Sequence, residues 1–177
     1  DKFIKEGGQA IVLIPEIALT YQTVRRFYGR FGDKVSVINS RLSLGERYDQ
    51  FKRAKQGELQ VMVGPRSALF TPFGKLRLII IDEEHENAYQ SELSPRYDAR
   101  ETARERFRIN QASLILGSAT RSLESYTMAV LGEYTLLKLT RRVKASAALT
   151  QEGTVDLNEE FKAGNRYIFT PTPQELM

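Results

Sequence analysis

Three carboxylates and the only histidine of the chain stand directly after an apolar run. Residues 78–81 are Leu-Ile-Ile-Ile, and Asp82-Glu83-Glu84-His85 follows. Mg²⁺ prefers oxygen ligands and keeps several waters, so one carboxylate at a strand end suffices when phosphates supply the rest. The adjacent carboxylate can orient and deprotonate an attacking water. The string therefore predicts nucleotide hydrolysis, with Asp82 as the ligand of Mg²⁺ and Glu83 as the base.

A second polar segment follows a second apolar run. Residues 112–116 lead into Gly117-Ser118-Ala119-Thr120. Open α/β sheets place their sites at the carboxyl ends of the strands, where a Ser-Ala-Thr turn can sense a nucleotide beside the acidic turn. Each feature alone has a simpler explanation, since acidic turns are often solvated and a lone histidine is more often structural. Their joint occurrence favours an ATP-driven nucleic-acid motor.

Apolar runs of strand length alternate with segments of helical periodicity along the chain. This alternation predicts βαβ units, and hence an α/β fold with a mostly parallel sheet flanked by helices. The uninterrupted apolar run before Asp82 is typical of a strand covered on both faces. The predicted strands are residues 9–14, 35–38, 59–63, 76–81, 112–116 and 134–139.

The predicted helices carry start signals and apolar faces. Candidate N-terminal caps are Ser43 with Glu46, Asp98 with Glu101, and Ser122. Apolar residues at helical spacing predict the core face of the two helices that end before Gly32 and Gly57. These residues are Ile17, Tyr21, Val24, Phe27, Tyr28 and Phe31 in the first helix and Leu44, Tyr48 and Phe51 in the second.

The composition is that of an ordinary globular protein, and it excludes several kinds of site. The 177 residues include no cysteine, which excludes disulfides and thiolate metal sites and agrees with a cytosolic setting. No run approaches the ~20 apolar residues of a membrane span. A net charge of +4 tilts weakly towards a polyanionic partner. Residues 1–140 have the size of one domain, residues 141–155 are typical of a linker, and residues 156–177 are the expected start of a second domain.

The order of four strings carries a family resemblance. The strings are Pro15-Glu16-Ile17-Ala18-Leu19-Thr20, Gly64-Pro65-Arg66-Ser67-Ala68-Leu69-Phe70, Asp82-Glu83-Glu84-His85 and Gly117-Ser118-Ala119-Thr120-Arg121-Ser122-Leu123-Glu124-Ser125. This order resembles the superfamily-2 helicases and, within them, the PriA-type replication-restart DNA helicases of bacteria. The similarity runs from about Gln9 to Arg142. It implies a RecA-like α/β fold of the P-loop NTPase type, here without its N-terminal part.

For the hydrolytic site, the resemblance implies one role for each residue. Asp82 would hold the Mg²⁺ of ATP through water, and Glu83 would act on the hydrolytic water. His85 would couple to Ser118 and Thr120, which would sense the nucleotide and link its state to domain movement.

The resemblance also implies DNA contacts at the strand ends. Hydroxyls, arginines and exposed amides suit contacts with phosphates, which position a strand without reading its sequence. Aromatic rings in the polar loop after His85 suit base stacking, which tolerates any sequence. The alternatives are that Thr20 only starts a helix, that Arg66 is a solvated loop residue, and that the tyrosines pack on the sheet edge. The implied DNA-binding residues are Pro15, Glu16, Thr20, Gly64, Arg66, Ser67, Tyr89, Arg96 and Tyr97.

The whole protein implied by the resemblance is an ATP-dependent, 3′-to-5′ DNA helicase that remodels stalled forks and loads the replication-restart machinery. Its expected partners are forked or single-stranded DNA, single-strand-binding protein and primosome components. Its expected location is the bacterial cytoplasm, in association with the nucleoid and without a membrane. Zinc is expected only in other parts of that protein. Two alternatives stay open: a nucleic-acid-binding remnant without ATPase activity, and the motor of another superfamily-2 DNA translocase.

One expected motif is missing from the sequence. A phosphate-binding loop needs Gly-x-x-x-x-Gly-Lys-Ser/Thr, and the only Gly-Lys pair is Gly74-Lys75, followed by Leu76. We therefore expect a fragment of a first motor domain, inactive in isolation. The strand of the missing loop would lie between the strand that ends at Gly117 and the strand 134–139. Its absence predicts an open edge at residues 114–116, no neighbour for residues 136–139, and edge-to-edge self-association.

Overall fold

The computed structural model describes residues 2–120, 122–139 and 166–171. The described strands form one seven-stranded sheet. The strands are β1 Gln9–Leu13, β2 Val35–Val37, β3 Val61–Gly64, β4 Leu76–Ile81, β5 Ser113–Ser118, β6 Tyr134–Leu139 and β7 Arg166–Pro171. The helices are α1 Lys2–Lys5, α2 Tyr21–Phe31, α3 Leu44–Lys55, α4 Ala99–Asn110 and α5 Leu123–Val130.

The sheet runs in the order β2-β3-β1-β4-β5-β7-β6. The first five strands in this order are parallel to one another. β7 is antiparallel to both of its neighbours, so β6 again points in the direction of the first five. The predicted α/β fold, a RecA-like and mostly parallel sheet flanked by helices, is confirmed.

β7 corrects the prediction of an open sheet edge. Leu116, Gly117 and Ser118 of β5 are paired with Phe169, Ile168 and Tyr167, and all six residues of β6 pair with β7. A strand of this chain thus occupies the position between β5 and β6 that the sequence analysis leaves vacant. The open edge on which the predicted edge-to-edge association depended is therefore not present between β5 and β6. The sequence predicts the start of a second domain at residues 156–177, and their described part, β7, lies within this sheet. The predicted linker 141–155 lies outside the described residues.

The core is built mainly on one face of the sheet. Successive strand residues point to opposite faces, and Ile11, Leu13, Ile79 and Ile81 belong to one buried cluster with Phe107 of α4. On the opposite face, Val12, Ile14, Val61 and Val63 form a smaller cluster, against which Phe27 and Phe31 of α2 pack. Ile80 of β4 is only partly buried there, so the double coverage predicted for β4 is incomplete.

The predicted core faces of the first two long helices are partly wrong. Ile17 lies in a 3-10 turn before α2 and is 90% exposed, and Tyr21 is 78% exposed. In α3, Leu44 is 84% and Tyr48 67% exposed. The inner side of α3 is set by the edge strand β2 instead.

α3 meets β2 through polar and small side chains. The hydroxyl of Ser36 in β2 donates to Oε1 of Gln50 in α3 at 2.8 Å. Ala54 is the residue of α3 that is fully buried. Phe51 packs against the main core cluster, as predicted. The inner side of α3 thus combines Phe51 with Gln50 and Ala54, which the apolar periodicity did not indicate.

The helix starts follow the predicted caps. Ser43 and Glu46 form a complete capping box at α3. The carboxylate of Asp98 accepts from the backbone N–H of Arg100 at α4, and the hydroxyl of Ser122 accepts from the N–H of Ser125 at α5. None of the described helices is long and apolar enough to cross a membrane.

Gly64, at the carboxyl end of β3, leads to a prediction about packing. A methyl group at Gly64 would lie 2.7 Å from the carbonyl oxygen of Ile38 and 3.1 Å from Cβ of Ala68. Gly64→Ala should therefore lower the free energy of unfolding by about 1–3 kcal/mol, the usual cost of overpacking. Gly45→Ala in α3 is the control, because its Cβ would meet no atom within 4 Å and alanine favours a helix by up to about 1 kcal/mol. Denaturant unfolding measures both, and equal stability of the two variants would contradict the packing argument.

Candidate nucleotide-hydrolysis site

The acidic turn after β4 is fixed on both sides by neighbouring strands. The N–H of Asp82 donates to the carbonyl of Leu13 at 2.9 Å, and the N–H of Glu84 donates to the carbonyl of Gly117 at 2.9 Å. Because the carboxyl ends of parallel strands meet at one edge, the turn lies beside the Ser-Ala-Thr segment, as predicted.

Asp82 and Glu83 are both half-buried, and the backbone sends them in different directions. Glu83 has a φ of 50°, in the left-handed region that non-glycine residues seldom adopt. Oδ1 of Asp82 accepts from the N–H of Glu83 at 3.2 Å, whereas Oε2 of Glu83 lies 3.7 Å from Nδ1 of His85. The two carboxylates therefore serve different neighbours, as a metal ligand and a base in one site must.

The donor set suits a magnesium ion that brings most of its own ligands. Asp82 supplies a carboxylate oxygen at the open end of a strand, and Mg²⁺ is commonly held by one or two carboxylates plus phosphates and waters. Among the residues that the structure describes, no group of three or more His, Cys, Asp or Glu side chains is arranged to hold a metal. Asp82, at the end of β4, remains the predicted ligand of Mg²⁺.

His85 and Ser118 are brought together as the sequence predicted. Nδ1 of His85 lies 2.7 Å from Oγ of Ser118. The Ser118 hydroxyl donates its hydrogen to the carbonyl of Thr120. The tautomer of the imidazole decides which atom is the donor in the contact between His85 and Ser118. Thr120 joins the site through its main-chain carbonyl.

Glu84 is a site residue to which the sequence analysis gave no role. It is 0% exposed, and its carboxylate accepts from the N–H and hydroxyl of Ser122 and from the hydroxyl of Ser125. The Ser-x-x-Ser spacing at the start of α5 is the sequence feature that could have indicated this role. Two serines at that spacing offer several donors to one buried acid.

The residues predicted to contact DNA after β1 and β3 differ in their exposure and in their contacts. Pro15 and Gly64 are buried in this structure, and their contacts with DNA stay predictions. Glu16 is exposed, and its Oε1 accepts from the N–H of Ser40 at 2.7 Å. The hydrogen bonds from Ser40 hold the pKa of Glu16 below its usual value. Thr20 is exposed and caps α2, and its contact with DNA stays a prediction.

Arg66 is directed at the loop between β4 and α4. Its Nη1 donates to the carbonyl of Ala88 at 3.0 Å and to the carbonyl of Gln90 at 2.9 Å. Ser67 is half-buried in the same 3-10 turn. The guanidinium therefore holds the main chain on both sides of Tyr89.

Tyr89 cannot stack on a base in this structure, which corrects the prediction. Its side chain is 0% exposed. Its hydroxyl donates to the carbonyl of Asp82 at 2.5 Å and lies 3.2 Å from the carbonyl oxygen of Leu13. Burial, with the charge of Asp82 next in size, raises the pKa of this phenol far above its usual value. The ring is packed at the sheet edge, which was the stated alternative.

The rest of the loop forms a small hairpin. Gln90 and Asp98 make an antiparallel bridge, and the N–H of Ser91 donates to the carbonyl of Tyr97 at 2.8 Å. The ring of Tyr97 meets that of Phe70 edge-on, with centroids 5.1 Å apart. Arg96 is exposed near the tip, so it and the partly buried Tyr97 are the predicted contacts of this loop that a ligand can reach.

Comparisons with known proteins agree with this geometry. The family model described as DEAD/DEAH box helicase matches residues 2–129. The replication restart protein PriA of Bacillus subtilis is 47% identical over 170 residues, which are 96% of this chain and 21% of that protein. The protein of the same name from Synechocystis is 45% identical over 177 residues, covering 97% of this chain and 21% of that protein. The chain thus spans about a fifth of the length of the curated relatives that it matches.

The contacts of Arg66 predict a specific response to salt. If Arg66 braces the loop, Arg66→Gln in a full-length protein should leave the salt dependence of single-strand binding unchanged and speed amide exchange in residues 87–98. The matched control is Arg96→Gln, because Arg96 is exposed. Loss of one phosphate contact there should reduce the slope of log affinity against log salt by about 0.7. A reduction of that size for Arg66→Gln would show that Arg66 contacts a phosphate after all.

Proposed function

The chain belongs to the DEAD/DEAH box helicase family, and from this membership we propose that it carries the magnesium-binding and water-activating part of an ATP site. The whole protein is proposed to be an ATP-dependent, 3′-to-5′ DNA helicase of replication restart that acts on stalled forks. The similarity to replication restart proteins over 94–97% of this chain supports the choice among helicases.

One observation carries the proposal: Asp82, Glu83 and His85 stand at the end of β4, directly beside Ser118 at the end of β5. In the proposed reaction, Asp82 holds Mg²⁺ through water and Glu83 accepts the proton of the hydrolytic water. His85 reports the state of the site to Ser118 through the 2.7 Å contact. Catalysis of phosphoryl transfer consists mainly of such positioning and charge stabilisation.

The phosphates of ATP need a cradle of backbone amides and a lysine. The sequence holds no Gly-x-x-x-x-Gly-Lys-Ser/Thr string, so we assign that cradle to a part of the whole protein outside these 177 residues. Hydrolysis is then a property of the whole protein rather than of the isolated chain.

DNA is proposed to lie along the carboxyl edge of the sheet. Thr20 follows β1, Ser67 follows β3, and the hairpin with Arg96 and Tyr97 follows β4. These segments share one edge because their strands are parallel. Forked or single-stranded DNA is the proposed substrate, and single-strand-binding protein and primosome components in the bacterial cytoplasm are the proposed partners.

Replacing the proposed base tests the assignment. In the full-length protein, Glu83→Gln should leave ATP binding largely intact and reduce DNA-stimulated hydrolysis by roughly 10²–10⁴-fold, the usual contribution of a general base. Asp82→Asn should instead weaken the dependence on Mg²⁺. Glu6→Gln is the control, because Glu6 is exposed before β1, at the opposite edge of the sheet, and its charge change is the same. A loss below about tenfold for Glu83→Gln would contradict its role as the base. DNA binding without any ATP hydrolysis in the unaltered protein would favour a binding remnant instead.

A further inference from the structure

Glu84 is a fully buried acid that the proposed hydrolysis does not use. It lies between the base Glu83 and the coupling residue His85, yet 0% of its surface is exposed. A buried carboxylate is costly unless hydrogen bonds compensate for the lost water. Its retention inside the site therefore has to be explained by its contacts.

The carboxylate of Glu84 accepts hydrogen bonds from the start of α5. Oε1 accepts from the N–H of Ser122 at 3.3 Å, and Oε2 accepts from the hydroxyls of Ser122 and Ser125, each at 3.1 Å. Ser122 is also the cap of α5, since its Oγ accepts from the N–H of Ser125 at 3.2 Å. A negative charge at a helix N-terminus is further favoured by the helix dipole. The acid and the helix start are thus one hydrogen-bonded unit.

The backbone of Glu84 joins two more elements to this unit. Its N–H donates to the carbonyl of Gly117 in β5 at 2.9 Å. Its carbonyl accepts from Nη1 of Arg100 in α4 at 3.0 Å, and Arg100 is itself paired with Asp98 at 2.5 Å. Glu84 therefore touches β5, α4 and α5 at once.

Together, Glu84 and His85 hold the turn after β5 at both ends. His85 contacts Ser118 at the start of the turn, and Glu84 contacts Ser122 at its end. One contact at Ser118 would displace that residue alone. Two contacts, from Glu84 and His85, make the whole turn follow a displacement of the acidic turn after β4. Hydrogen-bonded networks with two discrete arrangements are a means of carrying coupling energy.

We propose that Glu84 is a positioning residue that makes the Ser-Ala-Thr turn and α5 move as one body with the acidic turn after β4. The proposal rests on the proposed function, because the displacement in question is the one that ATP binding and hydrolysis produce. Glu84 touches neither Mg²⁺ nor the hydrolytic water in this scheme. Its replacement uncouples ATP hydrolysis from unwinding instead of abolishing hydrolysis.

The first test compares unwinding with hydrolysis in the full-length protein. Glu84→Gln keeps the size of the side chain but places an amide donor against the donors of Ser122 and Ser125. It should lower the number of base pairs unwound per ATP hydrolysed by about tenfold or more, within the usual range of coupling between sites, with an unchanged KM for ATP. The control is Glu124→Gln, an exposed acid in the first turn of the same helix, which should leave the ratio unchanged. An unchanged ratio would overturn the proposal, and an unchanged ratio with proportional loss of both activities would mean that Glu84 is only structural.

The second test follows α5 directly by amide hydrogen exchange. A slowly hydrolysed ATP analogue should change exchange in residues 118–130 of the unaltered protein and of Glu124→Gln, but not of Glu84→Gln. The double variant Ser122→Ala with Ser125→Ala should match Glu84→Gln, which covers the case that one of them folds poorly. Nucleotide-dependent exchange of α5 in Glu84→Gln equal to that of the unaltered protein would refute the coupling. An unaltered protein in which the analogue changes exchange nowhere, residues 82–85 included, would refute the proposed function itself.

Discussion

The site depends on the parallel pairing of β4 with β1 on one side and β5 on the other. This pairing places the end of β4 between two strand ends of the same direction, so the acidic turn can be hydrogen-bonded to Leu13 and to Gly117. Side chains that are 33 residues apart, His85 and Ser118, meet for that reason alone. In an antiparallel arrangement the two turns would lie at opposite edges.

The hydroxyl of Tyr89 supports the same arrangement. It donates to the carbonyl of Asp82, where the turn begins, and lies 3.2 Å from the carbonyl oxygen of Leu13, where β1 ends. Arg66 in turn holds the main chain on both sides of Tyr89. The left-handed Glu83, a conformation that costs free energy in an L-residue, is thus flanked by a backbone that is fixed at several points.

The sequence allowed six of the described strands and the helix caps to be predicted, because these depend on local apolar runs and local start signals. The pairing of His85 with Ser118 was implied by the family resemblance. The sequence indicated Phe51 on the inner side of α3 but not Gln50, because the contact of Gln50 with Ser36 is polar and spans 14 residues. Tyr89 was misjudged for a similar reason. A tyrosine in a polar loop is exposed by local criteria, and only the tertiary structure brings the carbonyls of Asp82 and Leu13 to its hydroxyl. The place of β7 could not be predicted because strand order is not encoded in periodicity.

The order of synthesis has a consequence for β6. Its described hydrogen-bonded neighbour is β7, whose first residue, Arg166, is made by the ribosome 27 residues after Leu139, the last residue of β6. The parallel strands β2-β3-β1-β4-β5 can therefore assemble while translation is still under way, because each of them finds a partner among segments already made. Among the described strands, β6 therefore gains its hydrogen-bonded ladder only after β7 has been made, and until then its backbone amides are available to water or to chaperones.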